Sequence, residues 1–229
     1  MSTARTSTTR MSTTRVKTLL ITGFEPFGGE AVNPSWAVAQ ALDGQVIGGA
    51  RVVAAQLPCV FAQALPALQT ALDSHAPAWV LALGLAGSRS AISVERVAVN
   101  LVDARIPDNA GAQPVDEPVL AGGPAAIFTG LPAKAIVARL QQAGVRAELS
   151  HSAGSFVCNQ VFYGLMQALA ARPGVVGGFI HLPPLPEQAA RHPQSRPMAL
   201  AEQVLALRQV AELLVAGTPE LHTAGGRID

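Results

Sequence analysis

The succession of short apolar runs and longer amphipathic runs predicts an α/β protein with a largely parallel central sheet. Two observations carry this. Apolar runs of strand length alternate with segments whose apolar residues recur at steps of three and four. Several of the short runs also end in Gly-rich or polar turns, where open α/β sheets bind ligands. A chain of 229 residues is long enough for one large domain with a substantial core.

The elements follow in order. Val16–Thr22 reads as a strand, and Pro34–Leu42 as a helix opened by its proline. Arg51–Leu57 is a strand, followed by a helix over Phe61–His75. Pro66 interrupts that helix, so it is expected to kink or to start near Leu65. Trp79–Leu83 and Ile92–Leu101 are strands. The region from Asp103 to Pro132 is rich in Gly, Pro, Asp and Asn and reads as a long ordered loop with little regular structure. A helix over Ala133–Ala143, a strand over Arg146–Ser150 and a helix over Cys158–Ala171 come next, with Pro173-Gly174 ending the last of these. Val175–Ile180 is a strand and Ala199–Ala216 the closing helix. The turns TGFEPFGG, GLAGSR, SHSAGS and HLPPLPEQ, each after a strand, are expected to converge on one rim.

Composition excludes several functions. The net charge is +1, so there is no electrostatic case for nucleic acid or a membrane surface. Aromatic residues form no stacking platform. No apolar run approaches the roughly 20 residues that span a bilayer. Residues 1–15, MSTARTSTTRMSTTR, carry no hydrophobic segment and read as a disordered tail ahead of a single domain over 16–229. Without a signal peptide, Cys59 and Cys158 are expected as free thiols in a reducing cytoplasm. No Cys/His group has metal-ligand spacing, so no metal and no cofactor is expected.

The chemistry centres on SAGSFVCNQVFYGLM. It places Cys158 in the first turn of a helix, where unpaired N–H groups favour an anion and ease loss of the thiol proton. A thiol nucleophile needs a base, and the base needs an orienting group. Of five histidines, His181 stands at the end of the run VVGGFI, on the same rim as Cys158. His75, His192 and His222 read as surface residues, and His151 belongs to a turn. For the third group, Glu95 interrupts the β-like run ISVERVAVNL. It competes with a reading as an ordinary exposed charge, and with Asp103 and Asp108 as rival carboxylates. TGFEPFGG lacks the lysine and spacing of a phosphate loop and suits an apolar pocket wall better, with core packing of its two Phe as the alternative. Cys59, away from any polar turn, reads as a buried structural thiol.

The segments LLITGFEPFGGEAVNPSW, GLAGSRSAISVERVAVNL, ARIPDNAGAQP, GGPAAIFTGLP, SAGSFVCNQVFYGLM and GGFIHLPPLPEQ together resemble the pyroglutamyl peptidase I family of cysteine peptidases, from Thr18 to Gly226. That resemblance implies an α/β/α sandwich around a twisted, mostly parallel mixed sheet. It implies a Cys158–His181–Glu95 triad acting on peptides with N-terminal pyroglutamate. It further implies that Phe24 and Phe27 sandwich the lactam ring, that Asn33 lies close to it, and that Arg105 helps stabilise the oxyanion. Many relatives are tetramers, so homo-oligomers are implied too. Leu85 stands where many relatives have Gln, and Ser88 where a Gly is usual, which bears on substrate affinity. Two other readings remain at this point: a nucleoside phosphorylase-like enzyme of similar architecture, and an inactive module that binds pyroglutamyl peptides.

Overall fold

A computed structural model describes residues 16–225; the expected tail over residues 1–15 lies outside them. Nine strands are present among the described residues: β1 (Thr18–Phe24), β2 (Val46–Ile47), β3 (Ala50–Leu57), β4 (Trp79–Leu85), β5 (Ile92–Glu95), β6 (Val97–Val99), β7 (Ala126–Phe128), β8 (Ala147–Ser150) and β9 (Val176–Leu182). The helices are α1 (Pro34–Leu42), α2 (Phe61–His75), α3 (Ala133–Gln142), α4 (Val157–Ala170) and α5 (Leu200–Val215), with one 3-10 turn at Pro186–Gln188. No helix among the described residues is long and apolar enough to cross a membrane.

Seven strands form the main sheet in the order β2-β3-β1-β4-β9-β5-β8. β3, β1, β4 and β9 are mutually parallel. β2 runs antiparallel to β3, and β5 antiparallel to β9, with β8 parallel to β5. Both faces are covered, so the central strands are apolar throughout: Leu19, Leu20 and Ile21 are all fully buried. Strand alternation sorts the side chains into two cores. Leu19, Ile21, Leu81, Leu83, Ile92, Val94, Ile180 and Leu182 meet α1, α3 and α5. Leu20, Phe24, Val80, Ala82 and Phe179 meet α2 and α4. The result is the expected α/β/α sandwich on a mixed sheet.

Local chemistry explains the ends. Asn33 caps α1 by accepting from the Ser35 N–H at 3.1 Å, ahead of Pro34. α2 has no side-chain cap of its own; Asp108, from the long loop, accepts from the Phe61 N–H at 2.8 Å instead. α2 runs from Phe61 through Pro66 to His75, the expected span, and does not start near Leu65. The proline lacks one backbone donor, and packing of Phe61, Ala64, Leu68 and Leu72 outweighs that single loss.

Three expectations are corrected. The run Ile92–Leu101 is two strands: the chain leaves the main sheet at Arg96, and β6 pairs with β7 in a separate ribbon. The long loop therefore contains a strand, β7, where little regular structure is expected. The four turns also do not all leave from the same ends. β1, β4 and β9 are parallel and end together, whereas β8 runs with β5 in the opposite direction. The SHSAGS segment reaches the site only by turning back before α4.

Candidate active site

His181 and Glu95 share the face of the sheet that α4 covers. On β9, Phe179 and His181 alternate with Ile180 and Leu182; on β5, Ser93 and Glu95 alternate with Ile92 and Val94. Ser93 pairs directly with His181, so Glu95 lies one diagonal step away on the same side. Its carboxylate Oε1 sits 2.7 Å from His181 Nδ1. That contact fixes the tautomer: Nδ1–H donates to the carboxylate and Nε2 is left as the base. Both groups are buried, Glu95 completely and His181 to 4% exposure.

Cys158 is the second residue of α4 and is half-buried. Its sulfur lies over Gly84, on the strand next to His181. A Cβ added at Gly84 would be 2.9 Å from Sγ, and Gly84 is the in-register partner of His181. Neighbouring strands lie about 4.8 Å apart, so the thiol stands within one side chain's reach of the imidazole. Gly84 is bare because α4 brings the sulfur and the Phe179 ring down onto that spot.

The protonation states differ from the expectation at Cys158. Burial pushes its thiol up, the charge of Glu95 adds to that, and Arg89 and the backbone N–H offset it only in part. Desolvation thus outweighs the helix N-terminus. Burial also pushes His181 down, against the opposing pull of Glu95, so the imidazole is neutral at rest. For Glu95, burial acts upward, but the hydrogen bonds from His181 and Ser150 and the charge of Arg89 prevail and hold it below the usual carboxylate range. The resting arrangement is a neutral thiol, a neutral imidazole and an ionised carboxylate.

The rival groups lie elsewhere. Asp108 accepts from the N–H groups of Phe61, Ala110 and Ala112. Asp103 is exposed, and its backbone holds Ser155. His75, His151 and His222 are exposed. His192 is half-buried rather than a free surface residue, with Nε2 3.1 Å from Glu30. Cys59 is buried and pushed up to about 12, by burial first and then by Glu25 and Asp108.

The pocket residues are placed unequally. Phe24 is 2% exposed and joins the α2–α4 core. Phe27 is half-buried and packs on Phe156, with ring centroids 5.2 Å apart. Phe156, not singled out in the sequence, also packs edge-on against Phe61. Its only sequence signal is its place two residues before Cys158. Asn33 spends its amide on structure: Oδ1 accepts from Ser35 and Nδ2 donates to the Glu25 carbonyl at 3.0 Å. It thereby holds the Glu25–Phe27 segment. Leu85 ends β4, and alternation puts it on the face opposite Gly84. Ser88 and Arg105 are exposed, and Arg105 has no ion-pair partner among the described residues. Arg89 was also not singled out: its Nη1 is 2.6 Å from Glu95 Oε1 and its Nη2 donates to the Ser152 carbonyl at 2.7 Å.

A sequence model of the pyroglutamyl peptidase family matches residues 17–216. The pyrrolidone-carboxylate peptidase of Erwinia tasmaniensis is 52% identical over 210 residues, covering 92% of this chain and 98% of the relative. That of Chromobacterium violaceum is 55% identical over 212 residues, covering 93% and 99%. The crystal structure of pyroglutamyl peptidase I from Bacillus amyloliquefaciens superposes with a TM-score of 0.86 at 45% identity, over 90% of this chain and all of that one. A pyrrolidone carboxyl peptidase variant from Pyrococcus furiosus gives 0.84 at 40% identity, over 88% of this chain and 99% of that one.

Proposed function

Since the chain belongs to the pyroglutamyl peptidase family, we propose that Cys158, His181 and Glu95 are the residues with which it removes pyroglutamate from peptide N-termini. The observation that carries this is the buried Glu95–His181 contact of 2.7 Å beside a thiol seated on Gly84. Membership of a peptidase family sets the nucleoside phosphorylase reading aside.

Pyroglutamate is a lactam without a positive amine. A pocket walled by the half-buried Phe27, with Phe24 buried in the core behind it, offers it apolar contact. An ordinary charged N-terminus would be desolvated there without a partner, at a cost of several kcal/mol in order of magnitude. Cys158 attacks the carbonyl that follows the ring. As the S–C bond forms, the thiol proton passes to His181 Nε2, and Glu95 stabilises the imidazolium. The oxyanion is held by the Cys158 backbone N–H at the start of α4, with Arg105 as a second donor. His181 returns its proton to the departing amine when the C–N bond breaks, leaving a thioester. Water, deprotonated by His181, attacks that thioester; pyroglutamate departs and the thiol regains its proton.

The neutral resting pair suits this order of events, because the proton moves as the bond forms and not before. A nucleophilic thiol needs a reducing compartment, and the cytoplasm fits that need. Self-association into a homo-oligomer belongs to the same reading and is tested by sedimentation equilibrium.

The test is turnover of a pyroglutamyl-amide reporter. Cys158→Ser and Cys158→Ala abolish it, and Cys59→Ser leaves it nearly intact. Equal loss from Cys158→Ser and Cys59→Ser removes the assignment. Wild-type chain that binds the reporter without turning it over supports the inactive-module reading instead.

A further inference from the structure

The turn between β4 and β5 supplies a group that the triad alone does not explain. Arg89 places its planar fork on two elements at once. Nη1 lies 2.6 Å from Glu95 Oε1, the same oxygen that faces His181 Nδ1 at 2.7 Å. Nη2 donates to the Ser152 carbonyl at 2.7 Å, in the segment that turns back from β8 into α4 and Cys158. Glu95 is fully buried and its other oxygen, Oε2, has no hydrogen-bond partner among the described residues. Both charged or ionisable partners of the carboxylate, His181 and Arg89, therefore meet at one shared oxygen, with the Ser150 side chain on the neighbouring strand also lowering its proton affinity. A buried carboxylate with only a neutral imidazole for company is costly, and a guanidinium alongside offsets part of that cost.

We propose that Arg89 is the positioning residue of the site: it pins the Glu95 carboxylate for His181 and, through Ser152, ties that carboxylate to the segment carrying Cys158. This rests on the triad reading above. Arg89 acts through Glu95 and Ser152.

Its charge has a second consequence. The groups facing this cluster are His181 on β9, Glu95 on β5, Glu148 and Ser150 on β8, and Cys158 on α4, with Cys59 beyond the thiol. Among these, Arg89 is the cation that counters the Glu95 charge. It holds the His181 proton affinity down and opposes the rise at Cys158. Without it, the lone carboxylate draws a proton onto the imidazole.

The experiment measures kcat and kcat/KM against pH on the pyroglutamyl-amide reporter for the wild type, Arg89→Met, Arg89→Lys and Cys158→Ala, with thermal unfolding of each. Arg89→Met loses about tenfold to a hundredfold in kcat with KM little changed, and its acid limb moves up by about one pH unit. Arg89→Lys keeps the charge but not the fork, so its acid limb stays near the wild-type position while kcat still falls. A folded Arg89→Met with the wild-type acid limb overturns the proposal, whatever its rate, because a merely structural role leaves that limb in place. If Arg89→Met does not fold, Arg89→Lys decides, and wild-type kcat in it overturns the proposal. A Cys158→Ala variant that still turns over the reporter overturns the triad reading, and the role of Arg89 with it.

Discussion

Cys158 shows two local effects in competition. Its place in the first turn of α4 favours a thiolate, and its burial against Phe179 and Gly84 disfavours one; burial wins. With His181 also driven toward its neutral form, the productive resting state is uncharged at both groups. The acid limb of kcat/KM then reports protonation of His181. Because its pKa is lowered, that limb is expected below the ordinary value of 6.5. An acid limb above that value would mean that burial does not hold His181 down. Glu95→Gln keeps the shape of the side chain but loses the charge and confuses the tautomer. We expect kcat to fall by about three to four orders of magnitude, measured on the reporter at the pH optimum. Cys158 and His181 were legible from their positions beside turns. Glu95 was left open against Asp103 and Asp108, since an acid in a β run looks the same locally whether it faces solvent or an imidazole. Arg89 left no local pattern at all, because its partners lie six and 63 residues away along the chain.

At the scale of elements, α4 is positioned by what β4 lacks. Gly84 leaves room for the sulfur and for the Phe179 ring, which lies 2.8 Å from where a Cβ would be. Gly84→Ala is expected to displace the start of α4. Its reporter kcat should drop by about a hundredfold, with circular dichroism still showing the folded sheet. Wild-type kcat in that variant would mean the helix can shift without consequence. The capping of α2 also crosses elements, because the donor at Phe61 is met by Asp108 from the long loop. Loss of that acceptor in Asp108→Ala should cost about 1 kcal/mol, or up to about 2, read as a lower urea midpoint. An unchanged midpoint would mean water replaces the carboxylate. Helix spans were legible almost to the residue, since apolar steps of three and four are local. The division of Ile92–Leu101 at Arg96 was not, because the alternation runs on unbroken while the chain changes sheets.

For the whole molecule, the buried site makes stability depend on pH. Glu95 has a lowered folded pKa, so its contribution is present above the ordinary value of 4.5 and lost as pH falls through the folded value. His181 is also lowered. Below its ordinary 6.5 the unfolded chain binds a proton that the native state refuses, so stability falls from there downward. Both groups act in the same direction, and the first loss belongs to His181. Urea midpoints taken from about pH 7.5 to about pH 5 should fall, and fall less in His181→Gln. A flat wild-type series over that range would contradict the buried neutral imidazole. By itself the sequence determined the α/β class, the helices and two of the three catalytic candidates, because periodicity, turns and capping are interactions between near neighbours. The tertiary structure alone decided that β5 runs against β9, which brings Glu95 diagonally beside His181 and turns an ambiguous acid into its partner. It alone decided how deeply the thiol is desolvated, because that depends on α4 lying on Gly84 and Phe179, contacts made between segments distant in the chain.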